Sequence, residues 1–237
     1  MFNISTICLQ WQPIIYQALS TMDQSYLNHL QQQDWLPGAT KLFNAFSLPL
    51  HETQFILMGE SPYPRSQSAN GYAFWDGAVH QLWSESGLST AVNRATSLRN
   101  FIKMLLYAGG YLSNDFSQPA IARLDKAEWV QTADELFQNL LTKGFLLLNA
   151  SLVLSDAKVQ YDARAWQPFM TSLLEQLYQI KPSLKLLLFG KIATKIDDLC
   201  SVGFEKLVAE HPYNISFITN PDVVTFFEPL NLLSKSG

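Results

Sequence analysis

Apolar residues recur along this chain in two rhythms, and the alternation between them lays out its elements. Three short runs are nearly continuous, Phe55 to Met58 (FILM), Phe145 to Asn149 (FLLLN) and Lys185 to Gly190 (KLLLFG), and Lys206 to His211 (KLVAEH) reads as a fourth, weaker strand. Runs of that length, punctuated by glycine or proline, predict buried strands. Between them the apolar positions fall at helical spacing. Ile15, Leu19, Met22, Tyr26 and Leu30 predict a helix over 13–33, and Leu42, Phe43 and Phe46 a short one over 39–46. Leu98, Ile102, Leu105 and Leu106 predict another, which Ser97 can cap and Gly109-Gly110 ends. Trp129, Ala133, Leu136, Phe137, Leu140 and Leu141 mark a helix closed by Gly144, and Trp166, Phe169, Met170, Leu173, Leu174 and Leu177 the next. Residues 192–199 read as a short helix. Asn220-Pro221-Asp222 opens a last one, continuing to Leu233, with a cap, a proline at the first helical position and an acid at the positive end of the dipole. The stretches 66–96 and 113–119 read as loop.

Strands separated by amphipathic helices imply a parallel sheet covered on both faces. The expected fold is therefore α/β: a three-layer α/β/α arrangement around a central parallel sheet of about four strands, in one domain over residues 1–237. That length suffices for one large core. A hydrophobic content of 48% and an aromatic content of 13% exclude a disordered chain. The net charge of −4 offers no global attraction to a polyanion and leaves a local basic patch as the route to one. Cys8 and Cys200 lie outside any metal-ligand spacing and read as reduced thiols. No metal and no cofactor is expected. No apolar run approaches the roughly 20 residues of a membrane span, and MFNISTICLQWQ lacks the basic region and cleavage site of a secretory signal. A cytoplasmic monomer acting away from membranes is expected.

Chemistry concentrates where the strands end. The first runs into Gly59-Glu60-Ser61-Pro62-Tyr63, the second ends in Asn149, and the fourth in His211-Pro212. Ligands of open α/β sheets sit beyond the carboxyl ends of the strands. These groups should therefore line one sheet edge, joined by Phe74 from the long loop. An amide can read a Watson–Crick edge with both donor and acceptor, an aromatic ring can stack on a base, and an imidazole can stabilise charge on a departing base. Together they describe a base-sized pocket. Arg65, Lys158, Arg164 and Lys191 lie in strand-exit regions, as phosphate contacts or as ordinary solubility charges.

In these residues the chain resembles the family-1 uracil-DNA glycosylases over nearly its whole length. Gly59-Glu60-Ser61-Pro62-Tyr63-Pro64 and Gly71-Tyr72-Ala73-Phe74 are similar to that family's Gly-Gln-Asp-Pro-Tyr-His and Gly-Leu-x-Phe-Ser segments. Thr96-Ser97-Leu98-Arg99-Asn100-Phe101 resembles its Pro-Ser-Leu-x-Asn-Ile, and Gly144 to Leu152 its Gly-Val-Leu-Leu-Leu-Asn-Ala-x-Leu. Arg164-Ala165-Trp166-Gln167-Pro168-Phe169 and His211-Pro212-Tyr213-Asn214-Ile215-Ser216 resemble Arg-Gly-Trp-x-x-Phe and His-Pro-Ser-Pro-Leu-Ser. The resemblance implies excision of a flipped-out uracil from single- or double-stranded DNA. By carry-over Phe74 stacks on the base, Asn149 binds its polar edge, and Tyr63 excludes a C5 methyl. His211 stabilises the leaving anion, Ile215 wedges into the vacated space, and Ser97 and Ser216 hold phosphates.

Departures from that family accompany the match. Ser61 stands where it has a carboxylate that orients the attacking water and stabilises the cationic sugar. Glu60 is the candidate substitute, and GESPY resembles the Gly-Glu-Ala-Pro-Gly of the thermophile-type family 4 in its placement of the acid. Neighbouring residues leaving a strand point to opposite sides, so Glu60 serves only if the loop turns it inward. Pro64 replaces a histidine, Tyr213-Asn214 replaces Ser-Pro, and Thr219 replaces an arginine. Two other readings stay open: an inactive paralogue that binds DNA or a protein partner through the cleft, and a glycosylase for another modified pyrimidine.

Overall fold

The computed structural model describes residues 2, 4, 7–156, 159–199 and 202–235, so Lys158 and Cys200 lie outside the described residues. Four strands form the main sheet: β1 (Phe55–Gly59), β2 (Phe145–Asn149), β3 (Lys185–Phe189) and β4 (Glu205–Ala209), in the order β2-β1-β3-β4. The sheet is parallel, with Phe55 opposite Phe145 and Lys185, and Gly59 opposite Asn149. The three continuous apolar runs thus become strands buried on both faces, whereas β4 buries only Leu207 and leaves Glu205 and Val208 exposed; the α/β/α expectation holds.

The chain falls into two compact units, residues 1–76 with 144–206, and residues 77–143 with 207–237. In the first, Ile56, Met58, Leu146, Leu148, Leu186 and Leu188 project from one sheet face into a single apolar cluster. Helices α1 (Gln12–Ser20), α2 (Gln24–Leu30), α6 (Gln167–Ile180) and α7 (Ile192–Leu199) cover that face. The second contains α3 (Thr96–Ala108), α4 (Ala133–Thr142) and α8 (Pro221–Phe227). The remaining longer helix, α5 (Val159–Ala165), belongs to the first unit and carries the buried Asp162.

Several elements differ from the sequence expectation for local reasons. The single helix over 13–33 is two, because Asp23 takes an extended backbone and caps α2 by accepting from the Ser25 amide. Residues 39–46 form turns leading to a 3-10 segment, Asn44–Ser47, instead of a helix. The long loop contains a two-residue hairpin, Trp83–Ser84 with Gly87–Leu88, and a short helix, Thr90–Arg94, capped by Ser89. Ser97 does not cap α3: Ala95 holds that position with no side-chain bond. Helix α4 starts at Ala133, four residues after Trp129, because Thr132 and Glu135 form a reciprocal capping box. It closes at Gly144, whose φ of +85° is the left-handed stop that glycine adopts without strain. Asn220 caps α8 as expected, but the helix ends at Phe227 and a 3-10 turn follows.

Candidate functional site

In the first unit the site starts from the register of β1 and β2. Gly59 and Asn149 are paired at the strand ends, so their side-chain directions share the face opposite Ile56 and Met58. The Asn149 side chain, 5% exposed, lies over Gly59. A Cβ at position 59 would stand 2.3 Å from Asn149 Oδ1 and 2.9 Å from the Ala73 methyl, so only glycine admits the amide there. The exit loops extend the ladder: the Ala150 amide donates to the Gly59 carbonyl at 2.9 Å and the Ser151 amide to the Glu60 carbonyl at 3.0 Å. The Ala73 amide donates to the Leu147 carbonyl at 3.0 Å, which lays the following aromatic segment along the edge strand.

That segment presents Phe74 in a left-handed backbone conformation, φ +63°. Non-glycine residues enter this region only when their surroundings impose it. The Tyr63 hydroxyl donates to the Phe74 carbonyl at 3.1 Å, and the Phe74 ring meets Phe189, at the end of β3, edge-on at 6.4 Å. Arg65 pairs with the buried Asp76 carboxylate at 3.4 Å, tying the two ends of the segment together. Burial pushes the Tyr63 phenol well up, the Asp76 charge adds to this, and Arg65 opposes it; the hydroxyl is therefore a neutral donor at physiological pH. Tyr63, Phe74 and Asn149 are thus brought together. Phe189, Arg65 and Asp76 join them; Phe189 and Asp76 were not singled out from the sequence, although the aromatic closing KLLLFG was a visible signal.

Glu60 takes the other direction. Its carboxylate pairs with Lys195 of α7 at 3.3 Å, and both side chains are about half exposed. Helix α7 packs through Ile192, Ala193 and Ile196 into the cluster on the Ile56 and Met58 face, the face opposite Asn149. Ser61 is partly buried beside the buried Pro62. Arg164 and Lys191 are exposed, and Cys8 is a free, partly buried thiol.

In the second unit His211 is fixed by its own turn. The Tyr213 amide donates to His211 Nδ1 at 3.1 Å, and the Asn214 amide to the His211 carbonyl at 2.8 Å. An Nδ1 that accepts a backbone N–H carries no proton, so this bond selects the neutral ring with its proton on Nε2. Asn100, buried on α3, donates from Nδ2 to the carbonyls of Pro212, Tyr213 and Asn214 at 2.7, 3.3 and 3.4 Å. Ile215 is 79% exposed and Ser216 is exposed. Ser97 lies in the first turn of α3, partly buried. Burial raises the Glu210 carboxyl, but hydrogen bonds from the Ser216 hydroxyl, its own backbone amide and Asn220 outweigh this and hold it below the usual range. The Ser216 hydroxyl is thereby engaged by an anion.

No group of three or more His, Cys, Asp or Glu side chains among the described residues could hold a metal ion. No described helix is long and apolar enough to cross a membrane.

No family model matches the chain. A protein named uracil-DNA glycosylase from Amoebophilus asiaticus is 26% identical over 161 residues, covering 67% of this chain and 60% of that protein. The chain thus spans about three fifths of that relative's length. A uracil-DNA glycosylase of Aliivibrio salmonicida is 27% identical over 206 residues, covering 85% of this chain and 77% of that one. Among solved structures, the wild-type UNG of Nitratifractor salsuginis superposes with a TM-score of 0.92 and 43% identity, over 97% of this chain and 94% of that one.

Proposed function

The chain belongs to the uracil-DNA glycosylase family, and from that premise we propose that it hydrolyses the N-glycosidic bond of a flipped-out uracil in DNA. The observation that carries this reading is the seat of the Asn149 amide over Gly59, beside a Phe74 ring braced by Tyr63. In this reading Phe74 stacks on the base and Asn149 pairs with its polar edge. Tyr63 fills the space a C5 methyl would need, so thymine is refused. His211, neutral and protonated on Nε2, donates to the oxygen on which the leaving uracil gathers charge. Ile215 enters the emptied stack and Ser97 approaches a phosphate; Ser216 can do so only when released from the Glu210 carboxylate.

Water activation is where this chain parts from the pattern it resembles. Ser61 can hold a water by hydrogen bond but brings no charge. General-base assistance is worth roughly 100- to 10,000-fold, about 3–5 kcal/mol of barrier, so excision is expected to be slow. Glu60 can act as the base only when released from Lys195. Its engagement there favours the second reading, a chain that binds DNA without cleaving it.

Single-turnover release of uracil from single- and double-stranded oligonucleotides separates these cases. Asn149→Ala should abolish release, and Ser61→Asp should raise the rate by about 100-fold or more. If Glu60 is the base, Glu60→Gln abolishes release and Lys195→Ala raises it. A Glu60→Gln variant as fast as wild type leaves the water to Ser61. A wild type that binds DNA yet releases nothing over long incubation establishes the binder.

A further inference from the structure

The loop after His211 carries two large apolar side chains two positions apart, both turned to solvent: Tyr213 at 68% exposure and Ile215 at 79%. The backbone beneath them is held firmly. Pro212 is buried, the Asn100 amide grips three successive carbonyls, and the Tyr213 N–H is committed to His211. An aromatic held in water on a braced backbone loses little conformational freedom when something covers it.

Charge at the foot of the loop indicates what that cover is. Arg99 lies beside Asn100 on α3, donating to its Oδ1 at 3.4 Å and to the Asn93 carbonyl at 3.1 Å. Lys103 follows one turn later, and burial together with the Arg99 charge pushes its ammonium down. Neither cation forms an ion pair among the described residues. Two cations repelling each other across one turn gain from an anion. The exposed Tyr213 ring, on the loop whose carbonyls Asn100 holds, gains from a second ring. The chemical class that offers both is a nucleic-acid strand with unstacked bases.

We propose that Tyr213 is a base-stacking residue that grips a nucleotide neighbouring the flipped one, with Arg99 and Lys103 as its phosphate contacts. This rests on the reading of the chain as a DNA glycosylase and adds a residue that the matched motif does not supply. A ring needs an open base face, so the contribution is greatest on single-stranded DNA and smaller on a closed duplex. Tyr213 also makes its contact through the ring, while its link to His211 runs through the backbone; substituting the side chain leaves the imidazole in place.

The test is fluorescence anisotropy with a labelled single-stranded oligodeoxynucleotide that contains no uracil. Tyr213→Ala should weaken binding about tenfold, within the range of base–aromatic stacking, while Tyr213→Phe and Tyr213→Trp should bind like wild type. Equal affinity for Tyr213→Ala and wild type would overturn the proposal. So would a Tyr213→Phe variant as weak as Tyr213→Ala, which would assign the effect to the hydroxyl. Poly-glutamate competing as well as the oligonucleotide would overturn it too, since charge alone would then account for the contact. Uracil release is scored separately on the same proteins. A wild type that never releases uracil but keeps the Ala/Phe contrast removes the enzyme and retains the stacking residue. Release with no contrast does the reverse.

Discussion

Gly59 and Asn149 behave as one packing unit, because the amide occupies the volume any larger residue at 59 would need. Gly59→Ala is expected to push the Asn149 amide off its seat, abolishing uracil release. Such overpacking destabilises by about 1–3 kcal/mol, measurable by urea denaturation. Asn149→Asp, which keeps the volume, should lose release with little change in that denaturation midpoint. Position 149 was legible from the sequence as an amide closing an apolar strand. The direction of Glu60 was not, since it depends on Lys195, 135 positions along the chain, and no local pattern announces such a partner. Strand alternation alone made an outward Glu60 the default, and the salt bridge holds it there.

At the level of elements, the buried strands could be read from the chain because an apolar run has one interpretation in a parallel sheet. Helix boundaries were harder. The break between α1 and α2 turns on a single cap at Asp23, and the start of α4 on a Thr132 to Glu135 reciprocity spelled T-x-x-E but masked by the apolar Trp129 upstream. The loop over 66–96 hid a hairpin and a helix because its elements are only two and five residues long. Long-range polar bonds also shape the elements. Asp162 of α5 accepts from the Ser155 amide and hydroxyl and from the Tyr26 hydroxyl of α2, which in turn accepts from Trp166 Nε1. Tyr26→Phe leaves the indole N–H without its partner and Asp162 Oδ1 with the Ser155 hydroxyl alone. A loss of about 1–3 kcal/mol is expected for such buried groups, read from the same urea titration.

Across the whole molecule the order of motifs identified the family, while the acidic total charge gave no hint of the proposed DNA substrate. In the proposed reading the attraction is local, at Arg99 and Lys103. A global consequence concerns alkaline stability. Burial raises both Tyr26 and Tyr63 in the folded chain, with Asp162 and Asp76 respectively adding to it. In the unfolded chain both titrate near pH 10, so above that point the unfolded state has released protons that the native state retains. The contribution of these two tyrosines is therefore level below about pH 10 and falls as pH climbs further. Thermal melts between pH 8 and 11 should show this decline, and it should be shallower for Tyr63→Phe than for wild type.

Phe74 holds its ring out on a backbone that an L-residue adopts at a penalty of about 1–3 kcal/mol. The protein meets that penalty once, during folding, so under the proposed function an arriving base would find its platform already posed and need not organise it. The same arrangement makes the position an evolutionary ratchet. A glycine there would suit the backbone better and remove the ring, so under the proposed function drift towards greater comfort at residue 74 would be drift away from chemistry.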